Sequence, residues 1–172
     1  MRLFHVSEES DIKIFEPRIP TRNDMDKKEG LVWAVDELRL PNFLTPRNCP
    51  RVTYHISKDT KEDDIKKYFT SITATHTVVI ENKWFEIMNE THLYLYEFDT
   101  NEFELQDNTA GYYVSKTTQR PIAVYRTNNL FHELFVRNVE IRIVDNLWKI
   151  GEEIQQTTLN WSLCRMSFAQ LR

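Results

Sequence analysis

Thr91-His92-Leu93-Tyr94-Leu95-Tyr96-Glu97-Phe98-Asp99 alternates along its length, setting Leu93 and Leu95 opposite His92, Tyr94, Tyr96 and Phe98. Successive side chains of a strand point to opposite faces. Apolar character on both faces therefore predicts a central strand covered on each side, not a half-wet edge. Val139-Glu140-Ile141-Arg142-Ile143 alternates as well, and predicts a half-exposed strand with Val139, Ile141 and Ile143 inward and the charges outward. Around these two lie further β-prone runs at Leu3–Val6, Leu31–Val35, Arg51–Ile56, His76–Ile80, Gly111–Ser115 and Pro121–Tyr125.

Short helical patterns separate them. Ile65, Tyr68 and Phe69 fall at i, i+3, i+4 behind a cap at Asp59 or Thr60. Leu130, Phe131, Leu134 and Phe135 form a stripe behind a cap at Asn128 or Asn129. Trp84 to Met88 is helical, and Asp36 caps a short helix through Leu38 and Leu40 that Pro41 and Pro46 curtail. Residues 10 to 30, with Pro17, Pro20 and the charged stretch Asp24 to Glu29, predict a connecting loop ending at Gly30. Thr157 to Phe168 fits either a strand or irregular packing. The expectation is an α+β fold of mostly antiparallel sheet with short helices, formed as a single domain over residues 1–172.

Composition narrows the function classes. Ten Phe, seven Tyr and four Trp in a chain that is 41% hydrophobic supply a packed core. Three glycines leave no Gly-rich phosphate loop of the P-loop or dinucleotide-fold type. A net charge of -4 lacks the basic excess of a nucleic-acid or membrane-surface binder, so an anion site must be local. Cys49 and Cys164 are the only cysteines, which predicts reduced thiols and neither disulfide nor structural zinc. With no leader-like or 18-residue apolar run, the expected location is cytoplasmic.

Candidate chemistry is concentrated in three places. His5 and Ser7 lie where the first strand is expected to end, a good position for meeting a ligand. Pro46-Arg47-Asn48-Cys49-Pro50-Arg51 holds Arg47 and Arg51 on a backbone stiffened by proline, and with Arg18 and Arg22 they suit an anion such as a pyrophosphate. Cys49 between those arginines is a candidate nucleophile, with His5 or His55 as base. Glu102 and Glu104 are two apart and share a face if extended. The five histidines show no metal-ligand spacing, so no catalytic metal is expected.

Phe4-His5-Val6-Ser7, the Pro17-Arg18 loop and Val32-Trp33-Ala34 resemble the opening of the ADP-ribosyltransferase-like fold. Tyr94 to Asp99, Gly111 to Ser115 and Pro121 resemble the back half of its RNA 2'-phosphotransferase-like members. Leu3–Arg18, Leu31–Asp36, Pro46–Val52 and Val139–Trp148 also look like an uncharacterised bacterial family of unknown function. The transferase resemblance implies a split antiparallel sheet with an NAD-binding cleft between its halves. It implies that His5 holds a ribose hydroxyl, with Ser7 the small hydroxyl residue after it and Ala34 the small residue on the second strand. Val6 stands where the family has glycine, and no Glu-x-Glu or Gln-x-Glu lies near the late strands. Glu140 or Glu133 is left to supply the carboxylate. Two readings follow: an NAD- or nucleotide-using transferase, and a non-catalytic ligand-binding or protein-interaction module of the same fold.

Overall fold

The computed structural model describes residues 1–19 and 29–172. Arg22 and most of the charged stretch from Asp24 lie outside the described residues. In chain order the elements are β1 (Leu3–Ser7), β2 (Val32–Asp36), β3 (Arg51–His55), α1 (Glu62–Tyr68), β4 (His76–Glu81), α2 (Phe85–Glu90) and β5 (Tyr94–Phe98). There follow β6 (Glu104–Asp107), β7 (Tyr112–Ser115), β8 (Ala123–Arg126), α3 (Leu130–Val136), β9 (Val139–Val144), α4 (Trp148–Ile154) and β10 (Asn160–Cys164). The fold is α+β, with one six-stranded sheet ordered β6-β7-β2-β1-β5-β8 and one four-stranded sheet ordered β10-β3-β4-β9. Among the described residues every strand pairing is antiparallel except β4 with β9.

Two compact units contain these sheets. The first comprises Met1–Phe43 and Leu93–Thr127, the second Leu44–His92 and Asn128–Arg172. Each is therefore assembled from two separate stretches of chain.

In the first unit β5 is flanked by β1 and β8, as its two apolar faces require. One face carries Leu3, Val32, Ala34, Tyr96 and Phe98, with Phe15 from the loop laid across them. Phe15 meets Tyr96 and Phe98 edge-on at 5.2 and 5.0 Å, the geometry that aligns ring edges with ring faces. On the opposite face Arg2 donates from Nε and a terminal nitrogen to the two oxygens of Glu97, at 2.8 and 2.9 Å. Gly111, at the entry to β7, has φ of +66°, and a Cβ there would lie 2.5 Å from Arg39 Cγ. Only glycine fits that left-handed position.

The second unit's core gathers Val52 and Tyr54 of β3, Val79 of β4, Tyr68 and Phe69, and Leu147, Ile154 and Leu159. Here several expectations are corrected. The cap of α1 is Lys61, without a side-chain bond, because Thr60 Oγ1 is turned back to accept from Ser57 N–H at 2.9 Å. The free N–H of Lys61 is met instead by Thr158 Oγ1 at 2.8 Å. Asn129 does cap α3, accepting from His132 N–H at 2.9 Å, but Phe135 of the expected apolar stripe is exposed. In β9 the faces are not apolar-in and charge-out: Ile143 is exposed while Glu140 and Arg142 are half-buried. Their mutual ion pair and bonds to backbone groups supply partners that make that burial tolerable. Asp36 ends β2 and its carboxylate accepts from Arg39 N–H at 2.8 Å, but the following helix is a single 3-10 turn at Leu40–Phe43. The segment after Thr157 resolves into a strand, β10.

Candidate functional site

His5 lies in the middle of β1, not at its end, because the strand continues to Ser7. The β1–β5 register sets Leu3, His5 and Ser7 opposite Phe98, Tyr96 and Tyr94. His5 thus shares its face with the aromatic cluster under Phe15, whose ring centre is 4.9 Å from the imidazole.

Two features fix the chemistry of that imidazole. Nδ1 lies 3.1 Å from the backbone carbonyl of Trp33, and a carbonyl can only accept, so Nδ1 carries the proton. Burial lowers the His5 pKa below its ordinary 6.5; the bond to Trp33 pulls it back in part, and the charge of Arg18 depresses it further. The ring is therefore neutral at physiological pH, with its lone pair on Nε2. Nε2 has no hydrogen-bond partner among the described residues. A neutral Nε2 can accept a hydrogen bond from a hydroxyl or take its proton.

The described part of the loop that covers this face is held down at several points. Tyr96 Oη donates to Glu9 carbonyl at 2.6 Å and accepts from Ile12 N–H at 3.2 Å. Phe15 and Gln119 exchange two backbone bonds at 2.9 Å, and Arg18 and Leu31 exchange two at 3.2 and 3.0 Å. Gln119 is itself fixed, because its Nε2 donates to Ser115 Oγ at 2.9 Å and to Glu102 Oε2 at 3.0 Å. Glu102 also accepts from Thr117 Oγ1 at 2.5 Å, bonds that hold its carboxyl below the usual range. It lies in the turn before β6, whereas Glu104 is in the strand itself, so the two are not an extended same-face pair.

The remaining candidates belong to the second unit. Pro46–Cys49 is a closed turn, with Cys49 N–H donating to Pro46 carbonyl at 2.9 Å, and Arg47 at its tip is exposed. Arg51 is buried in β3 and donates to the Cys49 carbonyl at 3.0 Å. The Cys49 thiol is completely buried, and burial pushes its pKa up to about 12 against the opposing charge of Arg51, so it is no thiolate nucleophile at neutral pH. Glu133 pairs with Arg137 at 2.6 Å within α3. Glu140 accepts from Thr70 N–H and Ser71 N–H, each at 2.9 Å, and from Arg142 Nε at 2.8 Å. Burial alone would raise its pKa, but these donors outweigh it and hold the carboxyl below its ordinary value. Thus His5, Ser7, Arg18 and Ala34 share one unit, and Arg47, Arg51, Glu133 and Glu140 the other.

Among the described residues no group of three or more His, Cys, Asp or Glu could hold a metal ion, and no helix is long and apolar enough to cross a membrane. A family model matches residues 4–169, which spans both units. The chain belongs to DUF6886, a family of unknown function. No curated protein and no solved structure matches it. In this DUF6886 chain the site residues that sequence reasoning missed are Phe15, Tyr96 and Gln119. Phe15 lies in the stretch that the sequence marks as a connecting loop, Tyr96 in the central strand and in the run that resembles the transferase back half, and Gln119 between two β-prone runs. The Trp33 carbonyl that sets the His5 tautomer left no side-chain signal at all.

Proposed function

We propose that this DUF6886 chain binds NAD or a related phosphorylated nucleotide on the His5 face of its first unit. The observation that supports this is a neutral imidazole whose Nε2 has no hydrogen-bond partner among the described residues and whose pKa feels the charge of Arg18. Nε2 accepts from a ribose hydroxyl, while the Arg18 guanidinium draws in the phosphates. Ser7 Oγ already accepts from Glu9 N–H at 3.1 Å and keeps its own proton to donate. Ala34, the small residue that the resemblance sets on the second strand, is buried in the same aromatic cluster. The resemblance to ADP-ribosyltransferase-like proteins supplies the ligand class; Arg47 and Arg51 belong to the second unit, where Arg51 is buried, and the proposal does not rest on them.

Cleaving the glycosidic bond of NAD needs a carboxylate near the developing cation. Glu140 and Glu133, the carboxylates singled out in the sequence, belong to the second unit and are already engaged by arginines there. That engagement favours a second reading, a ligand-binding or interaction module of the same fold that carries out no transfer.

A thermal-shift series with NAD, ADP-ribose and simple nucleotides tests both readings. A ligand at 100-fold above its Kd adds about 2.7 kcal/mol to the native state, which raises Tm by roughly 5–10 °C. NAD or ADP-ribose raises Tm of the wild type and not of His5→Ala. Release of nicotinamide accompanies the shift if the chain is a transferase, and does not if it is a module. No shift with any nucleotide overturns the proposal.

A further inference from the structure

The six-stranded sheet of the first unit ends in two edges of opposite charge. β8 lies at one side and β6 at the other, and no described strand pairs with the outer side of either. Thr127 N–H donates to the Leu93 carbonyl at 2.8 Å, and hydrogen-bonded positions alternate along an antiparallel pair. Tyr125 therefore turns its backbone groups to β5, while Val124 and Arg126 turn theirs outward. At the far side Asp36 N–H donates to the Gly111 carbonyl at 2.9 Å, so by the same alternation Ala34 bonds Tyr113, and Val114 is left to bond Glu104. Leu105, opposite Tyr113, therefore turns its N–H and C=O outward. Val124 and Leu105 are 47% and 52% exposed, and the registers put both on the face that carries His5. Arg120 and Arg126, both exposed, lie before and within β8, whereas exposed Glu102, Glu104 and Asp107 lie before and within β6. Lys116, just past β7, is already paired with Glu29 at 2.6 Å.

We propose that the β8 edge of one copy of this chain adds to the β6 edge of a second copy, continuing the sheet from molecule to molecule. Successive antiparallel pairings leave β6 and β8 running in opposite directions, so a second copy set beside the first with the same face up meets it antiparallel. Leu105 then falls opposite Val124. Both turn their backbone groups outward and both put an apolar side chain on the same face, so a hydrogen-bonded pair and an apolar cross-strand contact form together. Regular pairing ends there, because β6 shifts register between Leu105 and Asp107. Charge selects the partner edge: β8 on β8 would set arginines together, β6 on β6 would set carboxylates together, and only the unlike edges attract. A contact this short belongs with the small, transient interfaces, and being heterologous it leaves an unpaired edge at each end for further copies.

Sedimentation equilibrium of the full chain, from about 10 μM to about 1 mM in low salt, tests this. The average mass of the wild type rises with concentration and passes that of a dimer, and about 0.5 M salt weakens the association several-fold by screening. Val124→Asp blocks the β8 edge and Leu105→Lys blocks the β6 edge, and both positions are exposed, so neither change empties the core. Each variant alone associates at least about tenfold more weakly than the wild type. Their equimolar mixture forms a dimer and stops there, because the Val124→Asp chain still offers β6 and the Leu105→Lys chain still offers β8. A like-with-like contact gives a different pattern: Leu105→Lys alone would still associate through β8, or Val124→Asp alone through β6. A wild type that stays monomeric at about 1 mM, undiminished association of either variant alone, or a mixture that stays monomeric overturns the proposal.

Discussion

Phe98→Ala lowers the unfolding free energy by about 3–5 kcal/mol, the cost of emptying a filled aromatic position in a core that relaxes only in part. Phe98 is 2% exposed, stacks on Phe103 at 5.3 Å and takes the edge of Phe15 at 5.0 Å. Its removal leaves a void on the face that also carries His5, and it takes away one of the rings that seat Phe15. For a chain of this size the loss amounts to a Tm lower by about 10 °C. Phe98→Leu, which keeps most of the volume, retains a large part of the stability. Urea unfolding of the three proteins measures the difference; a loss below about 1 kcal/mol for the alanine variant would place Phe98 outside the core.

Glu140→Ala costs about 2–4 kcal/mol, because it strands two backbone N–H groups and an arginine that share one carboxylate. The carboxylate satisfies Thr70 N–H, Ser71 N–H and the Arg142 guanidinium, and Arg142 in turn donates to the Tyr68 carbonyl, so the variant loosens the end of α1. The pH dependence has a definite sign. The folded-state pKa of Glu140 lies below its ordinary 4.5, so its stabilisation is complete above 4.5 and is lost as pH falls through the lower folded value. Wild type and Glu140→Ala therefore differ most at neutral pH and converge in acid. Denaturant melts across that range check this, and a gap that widened in acid would contradict the assignment of Glu140 as a structural acceptor.

How far the fold was legible depended on whether the deciding interaction was local. The alternation from Thr91 to Asp99 carries its own two-faced environment, and β5 formed as an interior strand. Asn129 is adjacent to the helix it caps, and its cap is observed. In β9 the same alternation misled, because the partners that make half-buried Glu140 and Arg142 tolerable, at Tyr68, Thr70 and Ser71, lie about seventy residues away in sequence. α4 gave little signal: it is one short helix with Gly151 at its middle, a poor helix former. At the site the contrast is similar. His5 could be singled out, but its tautomer rests on a carbonyl 28 residues on and its cover on Phe15, and neither follows from the identity of the residues. Arg51 and Cys49 looked like accessible chemistry in the sequence, and the strand that contains Arg51 turns both inward.

The proposed nucleotide site requires a neutral His5 whose Nε2 meets the ligand. Nitrogen-labelled imidazole NMR, with His5 identified by its absence in His5→Ala, reads that state directly. At neutral pH the ring is expected in its Nδ1–H form, titrating below 6.5, with NAD or ADP-ribose moving the Nε2 resonance. A ring already protonated at neutral pH, or an Nε2 signal unmoved by saturating amounts of both ligands, would contradict it.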